Sequence, residues 1–160
     1  MTNLKLTEHF NLTEFERSAT AQANGIDNTC PSQFIPSLVQ LCKECLEPLR
    51  AFAGQPIIIN SGYRCNRLNT KVGGVYASQH TLGEAADIQI PKTPYTSWKD
   101  NLAHTDMDIL NRWFEFLTTH TDFDQAIIET SNDLDFWIHI SCRKNKKKNR
   151  HQIIRYMRKS

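Results

Sequence analysis

No stretch of this sequence stays apolar for long. Runs such as Ile57–Ile59 and Ala126–Ile128 hold three residues, against the 18 or more that a membrane-spanning helix requires, so insertion into a membrane is excluded. The first residues, MTNLKLTEHFNLTEFERS, carry an acid at position 8 and no apolar core of the kind a secretory leader has, and the expectation is a product that starts in the cytoplasm. Cysteine is present without organisation. The five, Cys30, Cys42, Cys45, Cys65 and Cys142, are odd in number and unpatterned, which argues for reduced thiols and against a disulfide scaffold. Cys42-x-x-Cys45 lies in a helical apolar pattern with no second pair to complete four ligands, so buried structural thiols are expected there in place of a zinc finger or redox pair. Internal repeats are absent, and the lysine-rich stretch 143–150 is the sole biased segment.

What remains is an ordinary globular composition. With 160 residues, 39% of them hydrophobic and 22% charged, the chain has room for one domain with a proper core. The net charge of +2 conceals an asymmetry: nine Lys/Arg and no acid lie between Arg143 and Ser160, leaving ten bases against seventeen acids, a net −7, in residues 1–142. The division expected is therefore a body, 1–142, and a basic C-terminal tail, 143–160. Such a tail is either a solvated terminal segment or a contact for a polyanion: nucleic acid, an anionic membrane or an anionic wall polymer.

Along the body, residues 10–25 read as short helices, with Thr13-x-x-Glu16 as a capping box and Asn24-Gly25 as a stop. Phe34, Leu38, Leu41, Cys42, Cys45, Leu46 and Leu49 recur at helical spacing and mark the main core helix, which Pro48 is expected to kink or end and Gly54 to close. PIIIN (56–60) and ADIQI (86–90) read as strands, and CNRLNTKVGG between them as a short helix or turn stopped by two glycines. Pro91 and Pro94 open a polar loop with Trp98, after which Asp106 or Asp108 is expected to cap the helix MDILNRWFEFLTT. FDQAIIE (123–129) and FWIHISC (136–142) suit an antiparallel hairpin. The class expected is α+β: a single domain with a small antiparallel sheet flanked by helices.

The chemistry concentrates in SQHTLGEAADI, residues 78–88, where His80 precedes Asp87 by seven positions. A metal-ligand pair, a helix start and chance all explain that spacing, since six histidines and nine aspartates make it commonplace. Its setting is more informative: Gly83 and Ala85-Ala86 allow a tight turn, after which Asp87 opens a strand, a rigid place for a ligand. His139 is a third candidate, because alternation along FWIHISC puts it on one face with Trp137 and Ser141. Two imidazoles and one carboxylate suit a catalytic zinc, whose fourth position stays open for water.

SGYRCNRLNTKVGG, SQHTLGEAADI, FDQAIIE and WIHIS, in that order, resemble the zinc D-alanyl-D-alanine carboxypeptidase family, in particular its small single-domain branch from phages and bacteria. The N-terminal segment EHFNLTEFERSATAQANGIDN and LCKECLEPLR extend the resemblance over about residues 7–142. It implies a hedgehog/DD-peptidase-like fold, zinc bound by His80, Asp87 and His139, and Arg64 in the active site, holding a substrate carboxylate or a developing oxyanion. Guanidinium chemistry suits that role, being permanently charged and bidentate. Relatives carry the general base as a glutamate three residues before the last histidine or a histidine two before it; here those positions are Phe136 and Trp137. Glu129 at the end of FDQAIIE is the preferred substitute and Asp135 the runner-up, while Ser78 and Gln79 are candidates for supporting or substrate hydrogen bonds. His9, His104, His120 and His151 are read as surface residues. The implied activity is zinc-dependent hydrolysis of peptidoglycan stem peptides at D-amino acids by a monomer acting on the cell wall after release, or as a phage product. The competing reading is an inactive zinc-containing wall-binding module. Nucleic acid is not expected as a partner.

Overall fold

The computed structural model describes residues 3–91, 102–131 and 135–158. The loop with Pro94 and Trp98 lies outside them. The chain opens with β1 (Lys5–Thr7) and β2 (Phe10–Asn11), an antiparallel pair, then the short helices α1 (Leu12–Glu16) and α2 (Ala19–Ala23). The capping box falls two residues earlier than the sequence suggests, on Asn11 and Glu14. The Glu14 carboxylate accepts the Asn11 backbone N–H at 2.7 Å, while Thr13 bonds Asn3 and Glu16 reaches forward to the Cys30 N–H. A tertiary partner for Glu16 outcompetes the local cap.

The core helix is continuous where Pro48 was expected to kink or end it. It runs as α3 (Ile35–Leu41), a π-helical turn (Cys42–Leu46) and α4 (Glu47–Ala53), closed by Gly54 at φ 65°. The wide turn just ahead of Pro48 absorbs the missing N–H and the ring clash that proline brings to a helix interior. Leu38, Leu41, Cys42, Cys45, Leu46 and Leu49 are buried along it, and all five cysteines are free thiols.

Next come β3 (Ile58–Ser61), α5 (Asn66–Lys71), β4 (Ala85–Gln89), α6 (Leu102–His120), β5 (Gln125–Thr130), β6 (Phe136–Ser141) and β7 (Gln152–Arg158). Because α6 begins at Leu102, Asp106 and Asp108 lie within the helix and not at its start. The five strands form one sheet in the order β3-β4-β6-β5-β7, antiparallel except for the β5–β7 pair. One face, with Ala86, Ile88, Ala126, Ile128, Ile138 and Ile140, packs into the core with Leu110, Trp113, Phe114 and Leu117 of α6. The other carries Asp87, Glu129 and His139.

Residues 143–158, set apart by charge as a tail, are sewn onto the body. Asp124 is wholly buried and receives the Arg150 backbone N–H at 2.8 Å and its guanidinium at 3.1 and 2.8 Å, with Arg143 Nε 3.0 Å away. Lys146 pairs with Glu44 at 2.8 Å, and the Arg155 guanidinium lies 4.9 Å over the Phe114 ring. The excess positive charge of the segment meets acids that the body had in surplus. Among the described residues no helix is long and apolar enough to cross a membrane.

Candidate active site

Two turns build one wall of the site, and they are zipped to each other. Gly62 in SGYR must be glycine, since a Cβ there would stand 2.6 Å from the Phe15 Cα. Its carbonyl accepts the His80 Nδ1 hydrogen at 2.7 Å, and the His80 carbonyl in turn accepts the Arg64 N–H at 3.1 Å. Bonding at Nδ1 fixes the tautomer, leaving Nε2 as the lone-pair nitrogen on the site side. His80 rides a 3₁₀ turn (Gln79–Leu82), capped by the Ser78 hydroxyl, which accepts the His80 N–H at 3.3 Å, and ended by Gly83 at φ 71°. Ser78 therefore serves the site by holding His80, and Gln79 turns aside to Glu84.

The strands supply the rest by register. Asp87 on β4 stands directly across from His139 on β6. Asp87 Oδ1 lies 3.0 Å from His139 Nδ1 and 3.4 Å from His80 Nε2, and the three ligand atoms are within 4.8 Å of one another. Among the described residues this is the sole such cluster. Glu129 faces Trp137 across the β5–β6 ladder, one diagonal step from His139, close enough for a long side chain to cross. Its Oε1 is 3.9 Å from His139 Nδ1, and the residue is 1% exposed. Asp135, the alternative, lines a cavity of about 490 Å³ with Asn60, Asp87, Gln89, Ser131 and Trp137.

Arg64 is buried and held at three points. Nε donates to Ser61 Oγ at 3.0 Å, one Nη to Asn69 Oδ1 at 3.2 Å and the other to Asp87 Oδ2 at 3.4 Å. Burial pulls its pKa down, against the opposing pull of Asp87 and Glu129. Burial likewise lowers His80, keeping the imidazole neutral and able to ligate. Burial works against the Asp87 charge, but the neighbouring His80 and His139 imidazoles outweigh it and hold the carboxyl well below the usual range.

The donor set fits a divalent transition metal, with two neutral-capable imidazoles and one ionised carboxylate converging, the His80 ring oriented by a backbone carbonyl, and three ligands leaving room for a fourth. Asn69, Ser61, Asn60 and Gln89 were not singled out from the sequence. The signal for Asn69 was the Gly73-Gly74 pair after α5, which marks a close backbone approach. No spacing rule points to Asn60 or Gln89. His9 and His151 pair with Glu47 and Asp122 at the surface, as expected, while the His104 side chain lies outside the described residues.

No curated protein matches the chain. The family model for Peptidase M15 matches residues 8–131, which takes in Arg64, His80, Asp87 and Glu129 and stops before β6, so His139 joins the site through strand pairing beyond the matched span. With most of its length matched, and a His-Asp-His cluster that could hold a metal, the chain belongs to the Peptidase M15 family of zinc-dependent metallopeptidases.

Proposed function

We propose that this chain is a zinc peptidase of the D-alanyl-D-alanine carboxypeptidase type, from the small single-domain branch, hydrolysing peptidoglycan stem peptides at D-amino acids. The observation that carries the reading is the buried Glu129 carboxylate 3.9 Å from His139, beside the His80-Asp87-His139 cluster and Arg64. It supplies the base that the positions before His139 lack. Zinc held by His80, Asp87 and His139 would supply Lewis acidity, bringing the pKa of a water toward about 7 and polarising a carbonyl.

The chain's own groups do the rest. Glu129 Oε1 takes the proton from the attacking water and returns it to the leaving amine. Arg64 spends three N–H groups on Ser61, Asn69 and Asp87, and of its five donors two remain to meet a substrate carboxylate or a developing oxyanion. Ser78 and Gly62 keep His80 in place. The cavity beside Asp87, walled by Trp137, Gln89 and Asn60, receives the peptide. The protein acts as a monomer on wall peptides, reached after its release from the cell or as a phage product.

The test is turnover of a stem peptide ending in D-Ala-D-Ala by the purified, zinc-loaded protein. Hydrolysis that a chelator stops and zinc restores supports the reading. Tight binding of the peptide without turnover would instead favour a wall-binding module.

A further inference from the structure

We infer that Asn69 is a positioning residue that locks the Arg64 guanidinium to the turn of residues 72–78. The side chain is buried and uses both ends: Oδ1 accepts from Arg64 Nη1 at 3.2 Å, and Nδ2 donates to the Val75 carbonyl at 2.9 Å. Its backbone carbonyl accepts the Gly74 N–H at 2.8 Å. Gly74 is the counterpart of this arrangement, because a Cβ there would stand 2.0 Å from Asn69 Oδ1 and 3.1 Å from Arg64 Nη1.

The turn so anchored leads straight into the metal-ligand segment. Val75 also accepts the Ser78 N–H at 3.2 Å, and Ser78 caps the turn that carries His80. At its tip Val75 is 71% and Tyr76 100% exposed, and Ala77 is held at φ 60°, a left-handed conformation that L side chains seldom take. One amide thus joins a solvent-facing tip, a buried cation and the His80 support. A ligand that presses on the tip is felt at Arg64 through a single side chain, and Arg64 keeps its orientation because Asn69 cannot rotate without losing one of two bonds. Glutamine, one methylene longer, cannot fill both.

The direct readout is the Arg64 guanidinium by nitrogen-15 NMR of the full-length protein, its signals assigned by their loss in Arg64→Lys. In the wild type, restrained rotation gives separate, slowly exchanging Nη protons. Asn69→Ala is expected to merge them and speed exchange by about tenfold or more, and Gly74→Ala, which dislodges Asn69 from outside the helix, is expected to do the same. Asn69→Asp keeps an acceptor for Arg64 and loses the donor to Val75, so it should preserve the Arg64 signals while backbone exchange in 72–77 quickens. It also serves if the alanine variant fails to fold. Arg64 signals unchanged in Asn69→Ala or Gly74→Ala would overturn the proposal.

The consequence for catalysis rests on the peptidase reading and is scored separately. Asn69→Ala should cut kcat/KM at least tenfold with zinc content retained, and should cost nothing further in an Arg64→Ala background. Losses that simply multiply in the double variant would make Asn69 a structural residue and overturn its positioning role. A wild type without hydrolysis would refute the proposed function, while the guanidinium signals would still decide the present inference.

Discussion

Glu129 and His80 both lie beside His139 with different work, and substitution separates them. His80→Ala removes one of the three proposed metal ligands, the ring that the Gly62 carbonyl holds in one tautomer. Zinc content and hydrolysis should fall together, by metal analysis and peptide assay on the same sample. Glu129→Gln preserves size and leaves the ligand set alone. Zinc should stay bound while kcat drops by about 10²- to 10⁴-fold, the usual worth of a positioned proton-transfer group. Retained activity in Glu129→Gln would pass the base role to Asp135 in the neighbouring cavity.

At the scale of elements, the site is a matter of register and close approach. Asp87 and His139 meet because β4 and β6 pair residue for residue, and a one-residue slip would throw both to the opposite face of the sheet. The turn that carries Gly62 is pressed against α1 so tightly that Gly62→Ala would drive its Cβ to 2.6 Å from the Phe15 backbone. The backbone must then shift, at a cost of about 1–3 kcal/mol. The shift carries the Gly62 carbonyl away from His80, so zinc affinity should weaken along with the melting temperature. Calorimetric unfolding and a zinc titration on Gly62→Ala check both, and a variant that loses stability but binds zinc normally would disconnect the turn from the metal site.

For the whole molecule, the decisive contact is the one that docks the C-terminal segment. Burial disfavours the Asp124 charge, but the Arg150 side chain and backbone N–H outweigh it, together with Arg143, and the folded pKa lies below its ordinary value. A carboxyl depressed in the folded state stabilises the protein above its unfolded pKa of about 3.9, and that contribution fades as pH falls through the folded value. Asp124→Asn should therefore cost about 1–3 kcal/mol at neutral pH, as expected for lost hydrogen bonds to a charged group. The gap between the variant and the wild type should shrink as pH falls below about 4 and close only below the lower folded pKa of Asp124. Denaturation curves between acid and neutral pH check this, and a constant gap at every pH would remove Asp124 as the source.

The setting of SQHTLGEAADI and the family resemblance offered the three candidate metal ligands, while the helical spacing from Phe34 to Leu49, the short runs PIIIN, ADIQI and FDQAIIE and the alternation in FWIHISC were enough to place the main helix, strands β3, β4, β5 and β6 and the α+β class. These are local periodicities, written in side-chain volume and polarity, and they survive folding because the core rewards them. Pairing between distant segments leaves no such trace. The Glu16 bond that moves the capping box and the docking of 143–158 on Asp124 depend on partners 14 and 26 residues away, and the π turn that lets a helix pass Pro48 follows no regular helical spacing. The same holds within the site. Sequence preferred Glu129 and kept Asp135 as the runner-up, and the diagonal step across the β5–β6 ladder brings Glu129 to 3.9 Å from His139. Composition and periodicity determined which elements form and which residues have the chemistry. Strand register and backbone contact decided which of those residues meet, because distance between side chains is a property of the packed chain alone.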